Sequence, residues 1–421
     1  MTFTETAETH SMQSFEIAVR LLSPICLAAS VPAGNLTRTL DYIPGSTIRG
    51  ALATLYLESG KPADTKFEQL FLSGDVTYGN LYLNGAAPAP LSARSCKHEP
   101  GFLHGDAGHG VVDWLLPSFT EIWGRRAQQA VTTPQHEGCA RVYRSNKCNA
   151  PMERFASFYA PLTSKRESVE TYKLRRVLTR SAIDDHLQTV EQGLLYSLEV
   201  LDPTALGSAV FRGTVTCASP AVVAIAQREV LDPTFEQQAM RLFIGTARSR
   251  GLGEIETVGS QTLLTPFAPL SERLRALNQR LRDWGVNDGR MYFSLTLHAD
   301  AIIQDEYFHF HSTIPTSILA WEAGFSQATA KRLRLDGCFT ATRTVSGWNA
   351  VLRVPKNAVT AIKMGAAFLY SIEGLTNQEL QDVIDKLTQV EAYGLGARRT
   401  EGFGRVVVCD PFHLDAGKEP I

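Results

Sequence analysis

Two stretches of this chain say nearly the same thing, and few features limit a fold more than an internal repeat. Residues 245–256 read Gly-Thr-Ala-Arg-Ser-Arg-Gly-Leu-Gly-Glu-Ile-Glu, and residues 396–407 read Gly-Ala-Arg-Arg-Thr-Glu-Gly-Phe-Gly-Arg-Val-Val. They align without a gap: glycine, five small or polar residues, glycine, one large apolar residue, glycine, then an apolar-rich run. Each follows a helix-like segment and precedes a strand-like one. A chain that closes both halves with one glycine-rich loop is read as two copies of one fold.

The rest of the chain fits two such halves. Phe15, Ile17, Val19 and Leu21 alternate with polar residues, the period of a half-buried strand. Ile43 to Ala53 follows, where Ser46 or Thr47 can cap a helix with Ile48, Leu52 and Leu55 on its apolar face. From about 62 to 160 the pattern dissolves into Gly, Pro, His and Cys, an insertion of mostly irregular structure. Segments 194–201 and 210–217 are strand-like, and Asp232-Pro-Thr-Phe starts a helix.

A linker helix with Leu274, Leu277 and Leu281 on one stripe and Ser271 as its cap joins the halves. The second half restarts with Phe293, Leu295 and Leu297 in alternation. A hairpin turning at Ser346-Gly347, a strand 366–372, a capping box Thr376-x-x-Glu379, the second glycine loop and a strand 406–409 complete it. The expected fold is α+β: two tandem ferredoxin-like (βαββαβ) domains, 1–265 with an insertion at about 62–190, and 266–421.

The 421 residues are 44% hydrophobic and 20% charged, enough for a sizeable core. A formal net charge of -2 announces no nucleic-acid partner, so any such site must come from local clustering. The polar, acidic N-terminus has no secretory pattern, and no apolar run approaches membrane-spanning length. Seven widely spaced cysteines make a poor disulfide framework and fit a reducing cytoplasm.

Three kinds of site are candidates. Gly245, Gly251 and Gly253, like Gly396, Gly402 and Gly404, let the backbone approach another chain closely, and successive amides in such loops can make an anion site. Arg248, Ser249 and Arg250 in one copy, and Arg398 and Arg399 in the other, add groups suited to phosphate. The helix start at Ser46, Thr47 and Arg49 is a third phosphate seat.

Neither loop is followed by Gly-Lys-Ser/Thr, and each runs helix-to-strand, the reverse of a Rossmann turn. No nucleotide cofactor is therefore expected. Between Ser164 and Arg180, Lys165, Arg166, Lys173, Arg175, Arg176 and Arg180 face only Glu167 and Glu170. Cys96, Cys139 and Cys148 share the insertion with His98, His104, His109 and His136. Three thiolates and one imidazole, here taken as His109, would make a structural zinc site, although Cys139 and Cys148 lie eight residues apart rather than two to four.

The segments Ile-Pro-Gly-Ser-Thr-Ile-Arg-Gly-Ala-Leu (43–52), Ser-Cys-Lys-His-Glu-Pro-Gly-Phe (95–102), Gly-Leu-Leu-Tyr-Ser-Leu-Glu (193–199) and Arg-Ser-Arg-Gly-Leu-Gly-Glu-Ile-Glu (248–256) together resemble the RAMP superfamily of CRISPR-Cas proteins. Within it they are most similar to the large RAMP subunit of type III-D effector complexes, related to the subunit that caps the crRNA 5′ handle. The resemblance implies a non-catalytic, cytoplasmic RNA-binding subunit in antiviral defence. It would hold the crRNA 5′ repeat tag near the target RNA heteroduplex and dock on the large polymerase-like subunit and a backbone RAMP subunit, with no membrane partner.

It also implies a protruding hairpin in the first domain, where the basic run to Arg180 lies. The rival expectation is an endoribonuclease working through His10 or Asp41, or through His109 near Asp113. No nucleophile, base and orienting group assemble in the sequence, so a holder is expected rather than an enzyme.

Overall fold

The computed structural model describes residues 13–29, 34–103, 108–133, 138–143, 146–160, 166–183, 190–229, 240–262, 267–349 and 354–414. It is a mixed α/β protein with nine α-helices among the described residues and several antiparallel sheets. It divides into two compact units. The first comprises Met1–Gly85, Tyr172–Leu264 and Thr400–Gly402, and the second Ala86–Thr171, Thr265–Arg399 and Phe403–Ile421. The stretch Ala86–Thr171, most of the inserted region, thus groups with the second unit.

The first unit starts with β1 (Gln13–Leu21), whose inward residues Phe15, Ile17, Val19 and Leu21 are buried as their alternation requires. Helix α1 (Gly45–Glu58) follows, burying Ile48, Leu52 and Tyr56. Its N-cap is Pro44 with no side-chain hydrogen bond, so neither Ser46 nor Thr47 caps it as the sequence suggested. Proline's fixed φ starts the helix, and Asn80 Oδ1 accepts from the Gly45 amide at 3.0 Å.

Then come β2 (Val76–Tyr78), a long hairpin of β3 (Arg175–Ile183) and β4 (Val190–Leu201), β5 (Val210–Cys217), α2 (Pro220–Glu229), β6 (Arg241–Phe243) and β7 (Glu254–Thr262). The helix expected at Asp232 lies outside the described residues. The sheet order is β6-β7-β1-β5-β2, with β1 antiparallel to both neighbours.

In the second unit, α3 (Leu270–Asp283) precedes β8 (Met291–Leu297). Its cap is Pro269, not Ser271, and its buried stripe is Leu270, Leu274, Leu277 and Leu281. The chain continues through α4 (Thr316–Glu322), α5 (Gln327–Arg332), β9 (Leu333–Phe339), a second hairpin of β10 (Thr342–Asn349) and β11 (Val354–Ile362), β12 (Ala367–Ile372), α6 (Asn377–Tyr393) and β13 (Val406–Val408). The capping box at Thr376 and Glu379 is formed as expected.

The sheet order is β9-β12-β8-β13, all antiparallel. Leaving aside Tyr82–Leu83, which pairs with β5 off this path, each unit places its first main-sheet strand between its last and its third, with its second outside the third; the first unit has β6 in addition, at the far edge beside β7. One expectation fails here. Ser346-Gly347 is not the hairpin's turn but a register irregularity inside β10, between Val345 and Gly347. A bulge and a turn both favour glycine, so the dipeptide alone does not separate them.

Both faces of the second sheet are covered. Phe293, Leu295 and Leu297 share the main core with Leu319, Val383 and Leu387. On the opposite face Tyr292 meets Phe119 of the helix Leu115–Ala127, ring centroids 5.1 Å apart, and Thr296 bonds His413 at 2.7 Å. The inserted region is therefore less irregular than its composition suggested, since it supplies this helix and short antiparallel ladders.

A buried polar chain closes that side. Ser92 donates to Asp113, whose other oxygen lies 2.9 Å from His413 Nδ1, while His298 Nε2 lies 2.7 Å from Asp410. Burial works against a charged His413, but Asp113 and Asp410 outweigh it and raise its pKa above the ordinary 6.5. A raised histidine contributes stability fully below its unfolded value and loses it as pH rises through the folded one. Removing one partner of such a buried pair costs about 3–5 kcal/mol. In thermal melts, His413→Gln is therefore expected to be less stable at pH 6. It should also lack the wild-type decline in melting temperature between pH 6.5 and pH 9.

Candidate nucleic-acid interface and metal centre

The two glycine loops have the same construction. Thr246 N donates to Cys26 O at 3.0 Å, as Ala397 N does to Ile302 O at 2.9 Å. Gly253 N reaches Pro24 O at 3.0 Å, and Gly404 N reaches Asp300 O at 2.8 Å. Ala247 and Arg398 both take left-handed backbone, φ 58° and 60°, before a single 3-10 turn. The glycines are explained by this packing. A Cβ at Gly245 or Gly396 would strike the carbonyl oxygen of Cys26 or Ile302, and one at Gly253 or Gly404 that of Ile244 or Leu395. These amides already serve the protein's own carbonyls, so an anion at either loop depends mainly on side chains.

Those side chains differ between the copies. In the first loop Arg248, Ser249 and Arg250 are all exposed. Arg250 lies over the ring of Tyr196, 5.3 Å from its centroid, and donates to its hydroxyl. Tyr196 stands on β4 directly opposite Arg180 of β3. Cross-strand partners share a face, so Arg180, Tyr196 and Arg250 form one basic and aromatic cluster. Beneath it, Cys26, Leu198, Val200 and Leu252 are buried together, with Leu178 and Ala247 packed against them. The hairpin is thereby seated on the glycine loop.

In the second loop Arg398 covers the ring of Phe403 at 4.9 Å, and Arg399 lies 3.8 Å from Glu322, whose other oxygen accepts from Gly396 N. Glu401 stands where the first copy has Arg250. Gly402 abuts Asn80, within the first unit. The second loop's positive charge is thus largely met by the protein itself.

The other candidates separate in the same way. Arg49, in the first turns of α1, donates to Thr400 at 3.1 Å and lies 3.6 Å from Glu401. Ser46 and Thr47 are half-buried in the first turn, where Gly45 N is already bonded. Arg175 grips Asp41 with two bonds of 2.8 and 2.6 Å, and Arg176 pairs with Asp202 at 3.1 Å. Lys173 is exposed in the 3-10 turn before β3. Lys165 and His10 lie outside the described residues. Asp41, held by a guanidinium fork, is poorly placed to act as a base. His109 and Asp113 do not pair, because they belong to the thiol cluster and the His413 chain respectively.

The ligand atoms of Cys96, His109, Cys139 and Cys148 all lie within 4.8 Å of one another. Cys96 Sγ and Cys148 Sγ are 3.7 Å apart, and Cys139 Sγ and His109 Nδ1 3.4 Å. Zinc bonds of about 2.3 Å to sulfur and about 2.0 Å to nitrogen give tetrahedral edges of about 3.8 and 3.6 Å. The donor set fits a metal such as zinc. The eight-residue spacing that counted against it has a structural cause. Val142–Tyr143 pairs with Asn146–Lys147 in a small hairpin that returns Cys148 beside Cys139. Amides of His98 and Glu99 point at Cys96 and, against the opposing effect of burial, help hold its thiol below the usual value. His98 itself is exposed, and His104 and His136 lie outside the described residues.

The family model of the RAMP superfamily matches residues 19–256, more than half of the chain. The chain belongs to the RAMP superfamily. No curated protein matches it. Similar solved structures include two chains of the type III-B Cmr-beta complex bound to cognate target RNA. One, with AMPPnP also bound, is 12% identical, with 84% of this chain and 86% of that one covered at a TM-score of 0.38. The other is 10% identical, with 93% and 96% covered at 0.39. A Cas6 of Thermus thermophilus is 13% identical, with 48% and 76% covered at 0.26. Among the described residues of this RAMP protein, no helix is long and apolar enough to cross a membrane.

Sequence reasoning identified the arginines of the first loop but missed Tyr196, the residue that joins loop to hairpin. It stood inside one of the quoted motifs, Gly-Leu-Leu-Tyr-Ser-Leu-Glu. Its alternation with Leu195 and Ser197 on a strand was the available signal.

Proposed function

We propose that this RAMP protein is a non-catalytic RNA-holding subunit of a type III CRISPR-Cas effector complex, acting in antiviral defence in the cytoplasm. The observation that carries this reading is the cluster of Arg180, Tyr196 and Arg250, on a loop that also exposes Arg248. It sets guanidinium groups suited to phosphate beside an aromatic ring, on a loop and hairpin held by one buried cluster. The subgroup resemblance supports the finer reading: a type III-D subunit that grips the crRNA 5′ tag and docks on the large polymerase-like subunit and a backbone RAMP subunit. Each unit is read as a ferredoxin-like domain on the strength of its strand order, and the Cys/His centre as structural zinc. The two loops divide their labour, the first meeting phosphate and the second bracing the protein. The grip on Asp41 by Arg175 favours a holder over a nuclease.

The test is the complex isolated from its native host through this tagged subunit. The wild type should bring down crRNA, and Arg248→Glu with Arg250→Glu should lower crRNA per complex at least about tenfold, since each lost phosphate contact forfeits counterion release. Arg399→Glu should change it far less. Unchanged RNA in the double variant would remove the first loop as a phosphate seat. Cutting of labelled repeat RNA by the purified chain would replace the holder with an enzyme.

A further inference from the structure

We infer that the second hairpin, β10–β11, is a nucleic-acid-binding arm in its own right, with Trp348 as its base-stacking residue. The inference rests on the RNA-holding reading and adds a second contact on a different unit. Its first support is topological. The hairpin β3–β4 lies between the second and third main-sheet strands of the first unit, and β10–β11 occupies the same interval in the second. Its seat is also the same. Ile302, Val345 and Ala361 are buried together, with Ala397 and Phe403 of the second glycine loop packed on them, matching Cys26, Leu178, Leu198 and Leu252 of the first unit.

Charge supplies the second support. Between Asp336 and Glu373 the sequence carries Arg343, Arg353, Lys356 and Lys363 and no acidic residue, within a chain of net charge -2. Such a stretch is an electrostatic footprint for a polyanion. Arg343 is tied to Asp300 at 3.3 Å where the hairpin leaves the body, and Lys356 stands further out, opposite Gly347.

The third support is Trp348, 61% exposed and paired across the hairpin with Pro355. A tryptophan so exposed contributes little to a core, and proline removes a backbone donor from that edge, disfavouring an added strand from a protein partner. A flat ring on a cationic arm suits an unpaired base, with the lysine meeting phosphate.

The test uses the full-length chain and a fluorescein-labelled single-stranded RNA of about 20 nucleotides, followed by anisotropy at several salt concentrations. Trp348→Ala should weaken binding about five- to one-hundred-fold, with Trp348→Phe restoring most of it. Lys356→Glu should weaken binding and flatten the salt dependence. Melting temperatures near wild type would keep misfolding out of the comparison. Ultraviolet cross-links from 4-thiouridine RNA should map to the Trp348 peptide.

Unchanged affinity in both variants, with Arg248→Glu still weakened, would overturn the arm and leave the first loop intact. No RNA binding by the wild-type chain would overturn both readings. Loss of a copurifying subunit from the Trp348→Ala complex at unchanged RNA affinity would make the hairpin a protein contact instead.

Discussion

Gly404→Ala is expected to leave the second unit largely unfolded, whereas Gly251→Ala, in the equivalent motif, should cost only about 1–2 kcal/mol. Both residues have positive φ, 73° and 80°, and left-handed backbone costs an alanine roughly that amount. What separates them is space. A Cβ at Gly404 would land on the carbonyl of Leu395, in backbone that cannot move without breaking the Leu395–Gly404 hydrogen bond. At Gly251 a Cβ meets nothing within 4 Å.

The loss at Gly404 should exceed about 4 kcal/mol, a range reached when strain and clash combine. Gly245→Ala should behave like Gly404→Ala in the first unit, since its Cβ would strike Cys26 O. Urea unfolding followed by circular dichroism would rank the three. A mild Gly404→Ala would refute close backbone approach as the reason for the glycine.

Replacing Cys139 by serine is expected to release one zinc per chain and to loosen the segment around it. Cys139 is buried with Cys96 and Ala150, and its backbone is tied to Ala150 and Asn149, but the local apolar cluster is small. Such a segment gains much of its order from cross-linking by a metal. Zinc contributes about 10–16 kcal/mol of apparent binding free energy in small peptides, against about 2–5 kcal/mol for truncating a core aliphatic.

Elemental analysis should give close to one zinc in the wild type and none in Cys139→Ser, with faster proteolysis between 96 and 152. A strong chelator should reproduce the effect. A well-folded preparation without zinc would dispose of the site. His98→Ala serves as the control and should retain the metal.

The sequence carried the repeat, the strands with clean alternation and the capping box, because each depends on a few neighbouring residues. It placed three helix starts or turns wrongly. Ser46, Ser271 and Ser346-Gly347 have good local credentials, yet Pro44, Pro269 and a bulge took their roles, since tertiary packing chose among equally acceptable local solutions. Among candidate site residues, the arginines of the first loop and the four Cys and His residues that could hold a metal were legible as types. Their partners were not: nothing local pairs Arg175 with Asp41 across 134 positions, or Arg399 with Glu322. The insertion looked irregular because its residues pack in a small cluster around Cys96, Cys139 and Ala150 and against a distant sheet, neither of which leaves a period.

The sheet β9-β12-β8-β13 is sealed on both sides, so it is a chassis with no face left to bargain with. Substitutions in its strands are punished for stability alone, while the hairpin β10–β11 forms a separate two-stranded sheet outside that constraint. Such a division lets an arm be lengthened, recharged or exchanged without renegotiating the core. Chimaeras that swap only residues 342–362 between relatives should therefore fold like their parents and differ in what they hold.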